Sequence, residues 1–456
     1  MISDPVTGNL LLDFPDLIAQ AVAECVDDPS PVTRDPAAFA PGFDLPEPDA
    51  AFRAFAAAAT AAWSPLGDYR GHRLTLLDLA GNPGANTTKT FASLLIVARA
   101  VQHIRRTGEP IVIFSPTSAN KGTALRDAVL RAIDTGLVAP EQLRVVILAP
   151  AACRDKLRSS RLATDPGLRA LNPLLVHDGT PAETVKQLGR EFVDTHAQRL
   201  KREHGLNLWF SLALPNYLVA DTARAMFEHT VDPTDKTDTP RVHAHAVSSA
   251  FGMLGYHRGR AVLEKAGLAT EASRPATLLV QHMATPDMVL SLRHGSFDRG
   301  NFPSYVVDPE AGLFHQIGAD PHFPMVTHDP AEVLDPTFYT RRPATSPEMN
   351  ALISRHGGDG IVVSLHECVQ RYPEIRARLA GHERGLPSDF RTLREWSLVM
   401  AMTGVFNAAD RGLLDRGADI VVHGSGWYST ADYEPLQHTS TVDTVADIAA
   451  AVEAGA

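Results

Sequence analysis

The sequence predicts an α/β fold whose sheets are parallel or mostly parallel and flanked by helices. Three observations predict it. Short β-rich apolar runs alternate with helical patterns long enough to make crossovers, as in βαβ units. Three small-residue polar segments, 115–120, 247–252 and 423–426, each begin where such a run ends. In open parallel sheets ligands gather at the carboxyl ends of strands. The chain has 456 residues, 44% hydrophobic and 21% charged, which suits a soluble globular protein of two or three domains with a large core.

The elements follow in order. The runs 73–79, 110–115, 143–148, 173–177, 207–211, 241–247, 276–281, 360–364 and 419–423 are short, apolar and bounded by turn residues, and read as strands. The longer patterns 90–105, 122–134, 181–200, 219–229, 255–266, 366–380 and 391–411 read as helices. Before them, 27–49 is rich in Pro, Asp and Ala and is expected to wrap the surface, and 51–63 reads as an Ala-rich helix. Residues 230–240 read as a linker between lobes, and 295–350 show little periodicity.

The most informative residue is Lys89. It follows Gly81-Asn82-Pro83-Gly84-Ala85-Asn86-Thr87-Thr88 and opens a helical pattern. A positive charge in a first helical turn opposes the helix dipole, so its placement asks for another reason. A lysine amine forms a Schiff base with an aldehyde, and burial helps by lowering its pKa. Further on, the strand 110–115 runs into Pro116-Thr117-Ser118-Ala119-Asn120-Lys121-Gly122. Small residues at a helix start leave backbone N–H groups open to an anion. Thr117 and Ser118 add hydroxyls without bulk, and Asn120 can donate to a phenolate-like oxygen. An aldehyde cofactor with a phosphate, and a substrate with a carboxylate, need this set.

These loops resemble those of fold-type II pyridoxal 5'-phosphate (PLP) enzymes, the tryptophan synthase beta superfamily, near threonine synthase and cysteine synthase. There an Asn-Pro loop leads to the cofactor lysine, and a Ser/Thr-Ser-Gly-Asn-x-Gly loop follows. Thr117 to Gly122 matches the second loop with Ala119 in place of glycine. Other segments fall in family order: Leu208 to Tyr217, then Val242 to Val247 running into Ser248-Ser249-Ala250-Phe251-Gly252. At that place those enzymes carry a phosphate loop rich in glycine and asparagine. Ala418 to Trp427 resembles the family's strand-plus-Gly-x-Gly ending, where a Thr or Ser meets the pyridine nitrogen. The match spans roughly 75–430.

The resemblance implies two lobes with PLP between them. Lys89 would carry the cofactor, Asn120 would face its 3-oxygen, and Thr117, Ser118 and Ala119 would take the substrate carboxylate. Ser248, Ser249, Ala250, Phe251 and Gly252 would hold the phosphate. The ring-nitrogen partner would be His423 in threonine-synthase register or Ser425 in cysteine-synthase register. The implied domains are a wrapping segment 1–70, a large cofactor domain of 71–105 and 236–456, and a smaller inserted domain 106–235. The implied reaction is β/γ-elimination or replacement on an O-activated amino acid, as in a threonine-synthase-like lyase or synthase of amino-acid or specialised metabolism, in a homodimer.

The chain also departs from the pattern. Its first loop is one residue longer, Thr90 and Phe91 replace an Asp-Arg pair, and the phosphate segment is poor in glycine. This marks a divergent member and keeps a second function open: a cofactor-free PLP-fold protein that binds or scaffolds without catalysis.

Other classes are weaker. A P-loop needs glycine six residues before its lysine and immediately before it, and here those places hold Pro83 and Thr88. His243 and His245 share a strand face but have no Cys or carboxylate near them in sequence, so no metal is expected. A net charge of −11 argues against nucleic acid. No apolar run reaches the ~20 residues of a membrane span, and no secretory leader is read at the N-terminus. Cys25, Cys153 and Cys368 lie far apart, without redox or metal spacing, which fits a reducing cytoplasm. Ser, Thr and Asn at 117–120 are also ordinary helix caps. Lys121 is expected to line the pocket or be exposed. Tyr428 and Tyr433 are expected to pack rather than to act as acid or base.

Overall fold

The structure, a computed structural model, describes residues 4–182, 184–234, 239–437 and 439–455. It is mixed α/β with parallel sheets flanked by helices, and it divides into two units. The first comprises Met1–Gly8, Ala61–Gly81 and Arg224–Ala431; the second comprises Asn9–Thr60, Asn82–Ala223 and Asp432–Ala456.

The first unit is built on seven strands in the order Val6–Asn9, Thr60–Tyr69, His72–Asp78, Asp419–Gly424, Arg241–Ala246, Ala276–His282 and Gly358–Val363. The last five are mutually parallel. Their nearly continuous burial explains why they read as unbroken apolar runs. Thr60–Tyr69 joins antiparallel, turning at Arg70 and Gly71, both of positive φ, with Tyr69 opposite His72. The helix Ser397–Asp410 is buried on almost every side and packs with Leu74, Leu76, Val280 and Val422 in the core. It is hydrophobic all round for that reason.

The second unit has a five-stranded parallel sheet in the order Ser440–Thr441, Leu174–His177, Leu143–Pro150, Ile111–Pro116 and Asn207–Phe210. Phe114 meets Phe192 of the helix Thr184–His204, with ring centroids 4.9 Å apart. Residues 41–43 are held by Arg99 of the helix Lys89–Thr107. Its Nε donates to the Gly42 carbonyl at 2.9 Å and its guanidinium lies 3.5 Å from the Phe43 ring centroid. That helix stops at Gly108, whose φ of 73° suits a left-handed cap.

Several expected elements differ. The 51–63 helix is shorter, Ala50–Ala56. Asp49 caps it through Phe52 N at 2.7 Å, and the chain then extends into the strand from Thr60. The 391–411 helix begins at Ser397, because Leu393–Glu395 pairs with Tyr428–Ser429 instead. Residues 295–350 contain a small antiparallel sheet of Tyr305–Asp308, Leu313–Gln316 and Val326–Thr327. Of the expected linker, 230 and 231 end the helix Pro215–Val231, and 235–238 lie outside the described residues. The units also divide the chain elsewhere than at 70, 105 and 235, since 82–105 falls in the second unit.

Candidate active site

In the second unit the loop before Lys89 is fixed by its own polar residues. Asn82 Nδ2 donates to Asp127 Oδ2 at 2.9 Å and to Thr90 Oγ1 at 3.1 Å, while its Oδ1 accepts from Gly84 N and Arg131 Nη2, both at 3.0 Å. Asn86 sits at φ 51°, a left-handed conformation asparagine tolerates. Its Oδ1 accepts from Arg158 Nη1 at 2.8 Å. Gly84 lies so close to the helix Ala119–Asp134 that a Cβ would stand 2.2 Å from Asp127 Oδ1. Thr90 is thus a partner for Asn82. Phe91 lines an apolar crevice with Leu10, Ile18, Leu95 and Val219. Lys89 is the first residue of its helix and is half-buried.

The second loop of this unit enters the helix Ala119–Asp134 with Ser118 as N-cap, and the Ser118 side chain makes no capping hydrogen bond. A helix start leaves several N–H groups without intrahelical acceptors, so this turn can receive an anion. Thr117, Ala119 and Asn120 are buried and Ser118 half-buried. Lys121, in the same turn, is buried rather than exposed. Its Nζ donates to the Ser211 carbonyl at 3.1 Å and lies 4.8 Å from the Tyr217 ring centroid. Burial, then the positive charge of Lys89, push its pKa well below the ordinary lysine value. Tyr433, also of this unit, lies under the Arg158 guanidinium at 4.9 Å.

In the first unit the strand Arg241–Ala246 leads through Ser248 and Ser249 to the helix Phe251–Lys265. Ala250, at φ 52°, is the N-cap, and its carbonyl accepts from both Met253 and Leu254. Thr340 and Thr345 brace this loop. Ser249 Oγ donates to Thr340 Oγ1 at 3.2 Å, Ser248 Oγ accepts from Thr340 N at 3.3 Å, and Thr345 Oγ1 donates to the Ser249 carbonyl at 2.6 Å. Gly252 faces Arg224: a Cβ there would stand 2.7 Å from both Nη1 and Nη2. A buried guanidinium therefore rests against the first turn of a long helix, where the dipole already favours negative charge.

Arg224 heads a hydrogen-bonded chain that fixes the histidine tautomers. Its Nη1 can only donate, so it bonds lone pairs on His245 Nε2 at 3.0 Å and His423 Nδ1 at 3.2 Å. His423 Nε2 then carries the proton and donates to His243 Nδ1 at 2.8 Å. His243 Nε2 donates in turn to Glu228 Oε1 at 3.1 Å. His245 Nδ1 donates to the Ala246 carbonyl at 2.6 Å. Burial pushes His423 well below the ordinary histidine value, and His243 also down. Burial opposes the Glu228 charge, but His243, Arg241 and the Tyr256 hydroxyl outweigh it and hold its pKa at about 2. Arg241 Nη1 pairs with Glu228 Oε1 at 2.7 Å.

The two candidates for the ring nitrogen thus differ. Both nitrogens of His423 are engaged within the protein. Ser425, just past the strand Asp419–Gly424, is buried, and its hydroxyl has no hydrogen-bond partner among the described residues. Arg224 and Glu228 escaped sequence reading, although their i, i+4 spacing on one helix was a signal. Tyr428 is buried in a short strand. Among the described residues no group of three or more His, Cys, Asp or Glu could hold a metal, and no helix is long and apolar enough to cross a membrane. The donors at Ser248 to Gly252, with Arg224 behind them, suit a phosphate, and the Ser425 hydroxyl suits a heterocyclic nitrogen.

The fold is similar to that of several solved enzyme structures. PLP-bound threonine synthase from Brucella melitensis aligns with a TM-score of 0.49 and 12% identity, over 84% of this chain and 78% of that one. A fungal L-serine ammonia-lyase from Rhizomucor miehei aligns with a TM-score of 0.47 and 13% identity, over 80% and 91%. The processed form of threonine deaminase isoform 2 from Solanum lycopersicum aligns with a TM-score of 0.44 and 14% identity, over 94% and 93%. No curated protein matches the chain significantly. Residues 6–456 match DUF6002, described as a family of unknown function, and the chain belongs to that family.

Proposed function

We propose that the protein binds PLP through Lys89 and catalyses β/γ-elimination or replacement on an O-activated amino acid. The supporting observation is the place of Lys89: it opens a helix at the end of a loop whose Asn82, Gly84 and Asn86 are all held by hydrogen bonds or close packing. Such a loop fixes where a nucleophile stands. Bound PLP supplies the electron sink for carbanion chemistry.

The chain's own residues do the rest. Backbone N–H groups at Ala119 and the hydroxyls of Thr117 and Ser118 take the substrate carboxylate. Asn120 donates to the cofactor's 3-oxygen. With PLP bound, Lys89 Nζ would take the proton from the substrate Cα; a β oxygen substituent could then depart directly, and a γ one after a second proton is taken from Cβ. Ser248, Ser249 and the amides of Ala250, Phe251 and Gly252 cradle the phosphate. Ser425 meets the ring nitrogen, because both nitrogens of His423 are taken. A hydroxyl there would not protonate a bound pyridine ring, a setting that would suit elimination. We carry over a homodimer from the resemblance, for sedimentation to test. No disulfide joins Cys25, Cys153 or Cys368, as a reducing compartment allows.

The test is an absorption spectrum of purified protein with added PLP, beside Lys89→Ala. A band at about 410–430 nm, abolished by borohydride and missing in the variant, is expected. No such band in the wild type removes PLP chemistry at Lys89 and leaves a cofactor-free binding protein. A band without turnover of any O-activated serine or homoserine removes the proposed reaction.

A further inference from the structure

The second unit contains a cavity of about 200 Å³ whose chemistry the proposed reaction does not use. Its lining includes Pro83 and Gly84 of the loop before Lys89, Thr123 and Arg126 of the helix Ala119–Asp134, and Arg158 and Ser160. Arg126 is only 4% exposed. Its Nη1 donates to the Asn172 carbonyl at 2.6 Å, its Nε has no partner, and no carboxylate pairs with it among the described residues. Burial lowers its pKa to about 10, so it remains a cation at neutral pH. The Ser160 hydroxyl is likewise buried without a partner.

The acids nearby do not neutralise this end. Asp127 already accepts from Asn82 and from Arg131 Nε at 2.8 Å. Asp432 and Glu434 also line the cavity but are exposed. The cavity therefore offers the Arg126 guanidinium and the Ser160 hydroxyl in its buried part, the Glu434 carboxylate at its exposed part, and apolar surface from Leu174 and Tyr433. A buried guanidinium without an acid is costly unless an anion meets it, and a carboxylate matches its fork of donors.

We propose that this cavity is a second small-molecule site, one that takes the carboxylate of a small aliphatic acid, Arg126 and Ser160 being its receptors. Glu434 lines the same cavity and could meet the ammonium of an amino acid, which favours the amino acid over the simple acid. The site is coupled to the Lys89 loop. Pro83 and Gly84 are part of its wall, and Arg158 Nη1 donates to the Pro83 carbonyl at 3.1 Å as well as to Asn86. An occupant bears directly on that loop. The site stands whether or not the chain binds PLP.

The test is calorimetric titration of the full chain with L-valine, with isovalerate, which lacks the ammonium, and with isobutylamine, which lacks the carboxylate. Valine and isovalerate are expected to saturate at about millimolar concentration and isobutylamine not to. R126Q should weaken both acids at least about tenfold, equivalent to about 1.4 kcal/mol. E434Q should weaken valine and spare isovalerate; equal loss or no loss of both assigns the site to simple acids. Should R126Q not fold, S160V, which fills the cavity beside Arg126, should abolish binding. Absence of saturable binding by either acid, or binding unchanged in R126Q or S160V, overturns the proposal.

Discussion

Adding one methyl group at Gly252 tests whether Arg224 is locked where the structure has it. In G252A the new Cβ would stand 2.7 Å from Nη1 and Nη2 and 2.9 Å from Cζ. Contact needs over 3 Å, so the guanidinium must withdraw, and helix and strand leave it no slack: Arg224 is 1% exposed. Withdrawal breaks the bonds from Nη1 to His245 at 3.0 Å and His423 at 3.2 Å. Hydrogen bonds from a charged donor contribute about 1.5–3 kcal/mol each, and these are long, so about 3 kcal/mol is lost for the two. Alanine in place of glycine in a helix returns up to about 1 kcal/mol. The net loss is about 2 kcal/mol, read by urea denaturation followed by far-UV circular dichroism. The control is a double-mutant cycle with R224M. Without the guanidinium the methyl has room, so G252A should become neutral or stabilising there, a coupling of about 2–3 kcal/mol. A G252A protein as stable as wild type, or coupling within about 0.5 kcal/mol, would show that the guanidinium is not clamped against this turn.

Two further outcomes follow from buried bases. Burial, with smaller effects of His243 and nearby cations, lowers His257 from 6.5 to about 3. The unfolded chain therefore takes up a proton in that window and the folded chain does not, so stability rises with pH and is lost as pH falls from 6.5 towards 3. This residue alone should cost about 2 kcal/mol between pH 8 and pH 5. H257Q should flatten that part of a pH–stability curve, and an unchanged slope would sink the assignment. Glu228, lowered from 4.5 to about 2, adds its loss only at more acid pH. Lys121 acts at the alkaline end. Its folded pKa is depressed, so the unfolded chain holds the extra proton and stability should rise with pH towards the unfolded value of 10.5. K121M should remove that slope yet keep any PLP band, whereas loss of the band in K121M would transfer the cofactor to Lys121.

Elements whose residues explain themselves locally were legible. Ile111–Pro116, Leu143–Pro150 and Ala276–His282 are strands because both faces are covered, which writes a continuous apolar run into the sequence. Thr60–Tyr69 was misread because its first residues are alanine-rich and its strand character comes from pairing with His72–Asp78 across the turn. Such pairing is a tertiary fact that propensity does not carry.

The candidate site divides the same way. Lys89 and the 117–120 loop announced themselves because a lysine or a run of small polar residues at a helix start is locally unusual. The shortage of glycine after Val247 looked like a defect in an anion site. The one glycine retained in the first turn of Phe251–Lys265 stands where the Arg224 guanidinium needs the space. That arginine is twenty-eight positions earlier in the chain. Its orientation depends on His245, on His423 from a distant strand, and through His243 on Glu228. A neutral histidine can pass a donor's direction along only if the next partner is an acceptor. The chain Arg224–His423–His243–Glu228 meets that condition at every link, running from a fixed cation to a carboxylate that Arg241 keeps ionised. Taken alone, none of these residues is unusual in the sequence. Together they make His423 a structural support for Arg224, so the proposed ring-nitrogen contact falls to Ser425.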